Sequence, residues 1–148
     1  MSPWDPRTAI FAKHAQHVVI IHFPIALLIT GVALDFLATW SRRKDLAQAA
    51  YCNFCGALVT AVPAALTGLL AWQWELDGRR LKGILLLHLV SGAASLMLIV
   101  AVWWVHWRLR PGTGDSRPSY RWGLEILAVA LVSMTGHLGG FLSGVNHP

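Results

Sequence analysis

The sequence predicts an all-α integral membrane protein, an up-down-up-down four-helix bundle, on three observations. Of its 148 residues, 55% are hydrophobic and only 13% charged, with a mean hydropathy of +0.53; soluble domains carry about 25% charged residues. The apolar residues gather into four runs, each long enough to cross the ~30 Å hydrocarbon layer at about 1.5 Å rise per residue. The runs are continuous and not alternating, which excludes barrel strands, and their short links favour antiparallel neighbours.

The first run covers roughly 18–40 and ends in ATW before the basic SRRKD. The segment ahead of it, MSPWDPRTAIFAKHAQH, holds acidic and aromatic residues and lacks a cleavage signal, so the first helix is expected to be retained. The second run, roughly 47–74, ends in AWQWELDGRR; the third, roughly 83–107, ends in VWWVHW. The fourth covers roughly 122–144. Trp40, Trp72, Trp74, Trp103, Trp104, Trp107 and Trp122 fall at the predicted ends, where an aromatic belt belongs. The longest link, RLRPGTGDSRPSYR, carries Pro111, Gly112, Gly114 and Pro118 and reads as a loop. Nothing in the chain repeats, and residues 1–148 form one domain.

The net charge is +5 and the pI about 9.9. On a soluble protein this would suggest nucleic acid. Here the basic residues cluster between apolar runs, which is a topology signal, and no nucleic-acid partner is expected. The first and third loops carry Arg42, Arg43, Lys44, Arg108, Arg110, Arg117 and Arg121. The N-terminus and second loop carry Arg7, Lys13, Arg79, Arg80 and Lys82. Seven basic residues against five predict both termini outside. The two cysteines, in CNFC, have no following histidine, so they are not a c-type haem attachment site. Cys52 and Cys55 read as small apolar packing residues.

Seven histidines carry the functional argument. His14 and His147 lie in terminal segments and His106 in an interfacial tryptophan cluster, where imidazole reaches water without a special role. His17, His22, His88 and His137 differ, because intramembrane imidazole is costly unless satisfied. Antiparallel topology brings His22, His88 and His137 to a common depth, roughly 7–11 Å inside the outer boundary. His17 sits just above them. Small residues flank them: Gly92 and Ser95 follow His88, and Ser133, Gly140 and Gly144 share a stripe with His137. These leave room for a flat group or for another helix, since Gly136, Gly140 and Gly144 also form a doubled GxxxG pattern. On a regular helix His17 and His22 point about 140° apart. Pro24 disfavours helical geometry at Phe23, so the helix is expected to begin or bend there, with His22 the better-placed ligand. Asp35 shares a face with His17; a proton path is one role open to it, and capping the helix or pairing with loop arginines such as Arg42 or Arg43 is the preferred expectation. Glu75 and Glu125 lie at helix ends and receive no role.

Neutral imidazoles on facing helices suit axial ligation of haem. The preferred expectation is haem b, one or two groups, with His22, His88 and His137 as the ligand pool and His17 fourth. Zn, Cu or non-haem iron in the same histidine cluster is the first alternative. Hydrogen bonds between helices, with no cofactor, are the second.

The stretch HVVIIHFPIALLITGVALDFLA, the run AVPAALTGLLAW, a histidine early in the third helix and the ending TGHLGGFLSGVNHP resemble an uncharacterised family of small four-helix bacterial membrane proteins. The resemblance spans about His17 to Val145 and matches His17, His22, Pro24, Asp35, His88, His137, Gly139 and Gly140; the CNFC pair departs from it. Relatives joined to, or encoded near, c-type cytochrome modules imply a redox setting. The expected function is therefore an electron-transfer subunit of a respiratory or photosynthetic assembly in the bacterial inner membrane. Quinol is the expected donor and a c-type cytochrome an expected partner, and no catalytic site of its own is expected in the chain.

Overall fold

A backbone in hydrocarbon must satisfy its own polar groups, so long apolar runs become helices. The computed structural model describes residues 13–75, 78, 80–109 and 119–143, with the side chains of 13–15, 74 and 75 left aside. The described residues form four helices and no strand: α1 (Lys13–Ser41), α2 (Lys44–Glu75), α3 (Gly83–Arg108) and α4 (Tyr120–Leu142). Each is long and apolar enough to span a membrane. His147, Gly144, the tip of the α3–α4 link and the side chains of His14, Trp74 and Glu75 lie outside the described set.

α1 starts five residues earlier than the apolar run, at Lys13, and runs unbroken through Pro24. The expected start or bend at Phe23 is thus replaced by a continuous helix. A proline removes one backbone hydrogen bond, and packing of the neighbouring turns offsets that loss. α1 ends in a left-handed residue, Arg42 (φ 54°). The Arg43 amide then donates back to the Ala38 carbonyl at 3.1 Å. This six-residue closure satisfies a carbonyl that the helix end would orphan. α2 begins directly at Lys44, and Asp45 in its first turn pairs with Arg43.

α1 packs most extensively on α2, and α3 on α4; α2–α3 and α1–α4 contacts close the ring. α1 and α3 therefore stand on a diagonal. Each helix buries one stripe. On α1 it is Pro24, Leu28, Gly31, Asp35 and Ala38, and on α2 it is Ala50, Phe54, Ala57, Ala61 and Ala64. On α3 it is Ser91, Ser95, Ile99, Val102 and His106; on α4, Arg121, Glu125, Ala128 and Val132. The alanines of α2 allow close approach, as small residues do in membrane bundles. Phe54, within CNFC, fills the centre: a Cβ at Gly31 would meet its ring at 2.6 Å. Cys52 is exposed, Cys55 half-buried, and both are free thiols.

Along the spans many large exposed side chains are apolar, among them Phe23, Phe36, Val59, Leu66, Val90 and Ile126, as a lipid-facing surface requires. Hydroxyls inside the spans bond to their own helix: Thr39 donates to the Asp35 carbonyl (2.9 Å) and Thr60 to that of Gly56 (2.7 Å). At the end bearing the α1–α2 turn, Phe36 contacts Trp122, and Trp103, Trp104 and Trp107 form a cluster in which Trp103 and Trp107 stack. Arg108 lies over Trp104 and Arg121 over Trp122, completing an aromatic and cationic girdle.

Candidate functional site

The polar interior divides between the two ends of the bundle. One end gathers the start of α1, the end of α2, the start of α3 and the end of α4; it is the histidine end. The other carries the α1–α2 turn and the start of α4; it is the arginine end.

At the histidine end, the imidazole that turns inward from α1 is His17, not His22. The continuous helix explains the reversal. At about 100° per residue, His17 falls in register with Pro24, Leu28, Gly31 and Asp35, and His22 does not. His22 is exposed, its Nδ1–H donating to the Val18 carbonyl one turn back. His17 is half-buried against α2, its Nδ1 3.1 Å from the Thr67 hydroxyl. A Cβ at Gly68 would meet its ring at 2.9 Å. Thr67 already donates its proton to the Pro63 carbonyl at 2.8 Å. Its oxygen therefore accepts from His17 Nδ1–H, which leaves the lone pair on Nε2.

His88 is half-buried on α3, and its Nδ1–H donates to the Thr135 carbonyl of α4 at 3.1 Å. A carbonyl only accepts, so here too the lone pair rests on Nε2. Gly139 makes room for this ring: an added Cβ would stand 3.2 Å from His88 Cε1. Nearby, Ser95 donates to Thr135 Oγ1 at 3.1 Å, because the Thr135 proton goes to the Leu131 carbonyl (2.8 Å). His137 shares the depth of His88 but points off the buried stripe of α4; it is exposed, with its ring edge-on to Phe141 at 4.9 Å. The histidine end thus brings His17 and His88 inward and leaves His22 and His137 on outer faces. Gly136 of the GxxxG pattern faces Ile25 of α1, a helix-packing contact.

The arginine end holds a buried polar cluster whose members received no shared role from the sequence. Arg121 Nε donates to Asp35 Oδ2 at 3.0 Å, and Arg121 Nη2 to the Thr39 hydroxyl at 2.7 Å. Asp35 therefore pairs with an arginine of α4, not with Arg42 or Arg43 of the turn, because it lies on the interior stripe of α1. His106 Nε2 lies 2.8 Å from Glu125 Oε1. Asp35, Glu125, Arg121 and His106 are 0%, 1%, 2% and 8% exposed. His106 is therefore a core residue and not an interfacial one, and the Phe54 ring packs on it at 4.5 Å. One signal was available in the sequence. Arg121 and Glu125 are four residues apart and extend to Ala128 and Val132, an interior stripe with two charges on it.

Asp35, His106 and Glu125 each bring one ligand-type atom within 4.8 Å of the others. Among the described residues, Glu125 Oε2 is the one buried side-chain polar atom with no hydrogen-bond partner. Beside this cluster a groove of about 370 Å³ opens at the α1–α2 turn, lined by Thr39, Arg42, Arg43, Lys44 and Arg121.

Neither the curated proteins nor the solved structures give a match to the chain. A family model described as a predicted membrane protein, DUF2231, matches residues 13–146, which takes in all four spans and both polar ends. With four apolar helices carrying these two polar ends, the chain belongs to the DUF2231 family of membrane proteins.

Proposed function

We propose that the chain is a membrane b-type cytochrome, an electron-transfer subunit that holds one haem b between His17 of α1 and His88 of α3. The observation that carries the reading is the donor set. Two imidazoles on diagonal helices turn inward at one end, each with Nδ1–H committed to a neighbouring helix and the lone pair on Nε2. That division of roles, one nitrogen fixed by a hydrogen bond and the other left for the metal, is how ligand histidines are oriented. Haem iron with imidazole in both axial positions supplies one-electron transfer and not oxygen activation.

The chain's own contribution is to orient and enclose. Thr67 and the Thr135 carbonyl fix the two ring planes. Gly68 and Gly139 let the rings approach the helix backbones. Apolar walls exclude water and raise the energetic cost of changing the charge within them. His22 and His137, on outer faces, are outside the ligand pair under this reading. The partners that fit are a quinol donor and a c-type cytochrome within a respiratory or photosynthetic assembly. The location that fits is the bacterial inner membrane, with both termini periplasmic, on the basic-residue count of the loops.

The absorption spectrum of protein produced with ample haem tests the reading. A Soret band with α and β bands on reduction is expected, lost in His17→Ala and in His88→Ala and kept in His22→Ala and His137→Ala. Absence of the band in the unsubstituted protein would sink the proposal. Stoichiometric Zn or Cu in its place would favour a histidine-bound metal. Loss of the band in His22→Ala, with retention in His17→Ala, would overturn the ligand assignment.

A further inference from the structure

The groove at the α1–α2 turn joins three parts of the chain. The last turn of α1 gives Thr39, the turn and the start of α2 give Arg42, Arg43 and Lys44, and the start of α4 gives Arg121. Ala38 of α1 and Ala47 of α2 also line it, and their small side chains leave the space between the helices open. Its volume of about 370 Å³ is that of a small-ligand cleft. Among the described residues that line it, four side chains are cationic and none is anionic.

The four cations are not equally committed. Arg121 is held by the Asp35 carboxylate at 3.0 Å, and Arg43 pairs with Asp45. Arg42 and Lys44 are exposed, and among the described residues neither has a carboxylate partner. Arg42 also stands in a left-handed conformation that suits glycine, yet the chain carries a cation there. Two positive side chains at the mouth of the groove therefore remain for an anion from outside.

The depth of the groove selects that anion. Its lining reaches back to Ala38, inside the span of α1, and out to the turn beyond the end of that span. Trp40 and Trp122 mark the same level, each edge-on to Phe36, at 6.3 and 5.7 Å. Tryptophan at a span end sits among lipid head groups. Basic pockets between spanning helices at this level suit acidic head groups. An acidic soluble protein would meet the turn from water and would not need a cleft that extends into the span. Below the groove, α1 exposes Phe36 and Leu37, an apolar surface on which acyl chains can lie.

We propose that this groove binds the head group of one acidic phospholipid, with its phosphate held by Arg42 and Lys44 and its acyl chains on the exposed face of α1. Arg43 and Arg121 add to the positive field from behind their own carboxylate partners. The binding is non-covalent and needs no change of protonation. The site lies at the opposite end of the bundle from His17 and His88, so it stands or falls apart from the haem reading.

The full chain, delipidated in a nonionic detergent, is titrated with phosphatidylglycerol or with phosphatidylcholine, and native mass spectrometry counts the lipids on each chain. One phosphatidylglycerol is expected, bound about tenfold tighter than phosphatidylcholine, because each basic side chain near a head group favours the acidic lipid. Arg42→Gly with Lys44→Gln should abolish the preference while helical circular dichroism is unchanged. Lys44→Gln alone, at an exposed position, should weaken it several-fold. Arg80→Gln with Lys82→Gln removes two exposed cations from the opposite end and should leave it intact. Equal binding of the two lipids would overturn the proposal, as would full retention of the preference in either groove variant. Loss in the Arg80 and Lys82 variant would overturn it in favour of unspecific attraction by net charge. Glycerol phosphate, a head group without chains, should not displace the lipid at equal concentration. Complete displacement would overturn the lipid in favour of a soluble phosphate.

Discussion

At the scale of single residues, three glycines separate packing from the proposed haem binding. A Cβ at Gly31 would meet Phe54 Cε1 at 2.6 Å. Phe54 has the His106 ring behind it at 4.5 Å and little room to retreat. Gly31→Ala is expected to cost about 1–3 kcal/mol in stability, as overpacking does, and, under the proposed haem reading, to leave haem content unchanged. A Cβ at Gly68 would press on His17 at 2.9 Å, and one at Gly139 on His88 at 3.2 Å. Gly68→Ala and Gly139→Ala are expected to lower haem stoichiometry with helical content retained, measured by the Soret-to-protein absorbance ratio. Removing Arg121 tests the other end. Arg121→Met takes the guanidinium away from the buried Asp35 carboxylate, with an expected loss of about 3–5 kcal/mol; adding Asp35→Asn should restore most of it in a denaturant titration. The inward turn of His17 was legible in principle. Asp35 is eighteen residues on, five helical turns, so both lie on one face, and an aspartate within a lipid-spanning run belongs inside. Pro24, by disfavouring helical geometry at Phe23, points instead to His22. Glu125 and His106 were not legible as partners, because nothing in either helix alone says that their stripes meet.

At the scale of elements, the four helices were legible because each is decided by its own residues. Continuous apolar runs with tryptophan ends fix α2 and α3 to within a few residues of their observed limits. α1 was the exception, since a proline does not end a helix whose neighbouring turns are held by packing along α2. The α1–α2 turn offers an element-scale prediction. Arg42 adopts a left-handed conformation (φ 54°) that glycine accepts without a steric penalty. Arg42→Gly is expected to preserve the turn and to raise stability by up to about 1 kcal/mol, read from the thermal midpoint in detergent. A substantial drop would mean that the guanidinium itself holds the turn in the groove.

At the scale of the whole molecule, four crossings bring both chain ends to one side, so reporters fused at either terminus should register the same compartment. The seven-to-five basic bias sets the proposed direction. Replacing Arg42, Arg43 and Lys44 by asparagine leaves four basic residues on that side against five. The expected outcome is mixed or inverted insertion in a reporter assay; unchanged insertion would mean that another feature sets direction. The sequence by itself determined the solvent, the helices, their number and their antiparallel order. Those follow from hydropathy and run length, which are properties of each segment alone. It also brought His88 and His137 to one depth, because depth is residue count along a helix. Only the tertiary structure decided which side chains face one another. It turned His17 and His88 inward and His22 and His137 outward, and it joined Asp35 to Arg121 and His106 to Glu125. The physical reason is that facing depends on the rotation of each helix about its axis. That rotation is fixed by the contacts of Phe54 on Gly31 and of the paired stripes, across residues far apart in the chain.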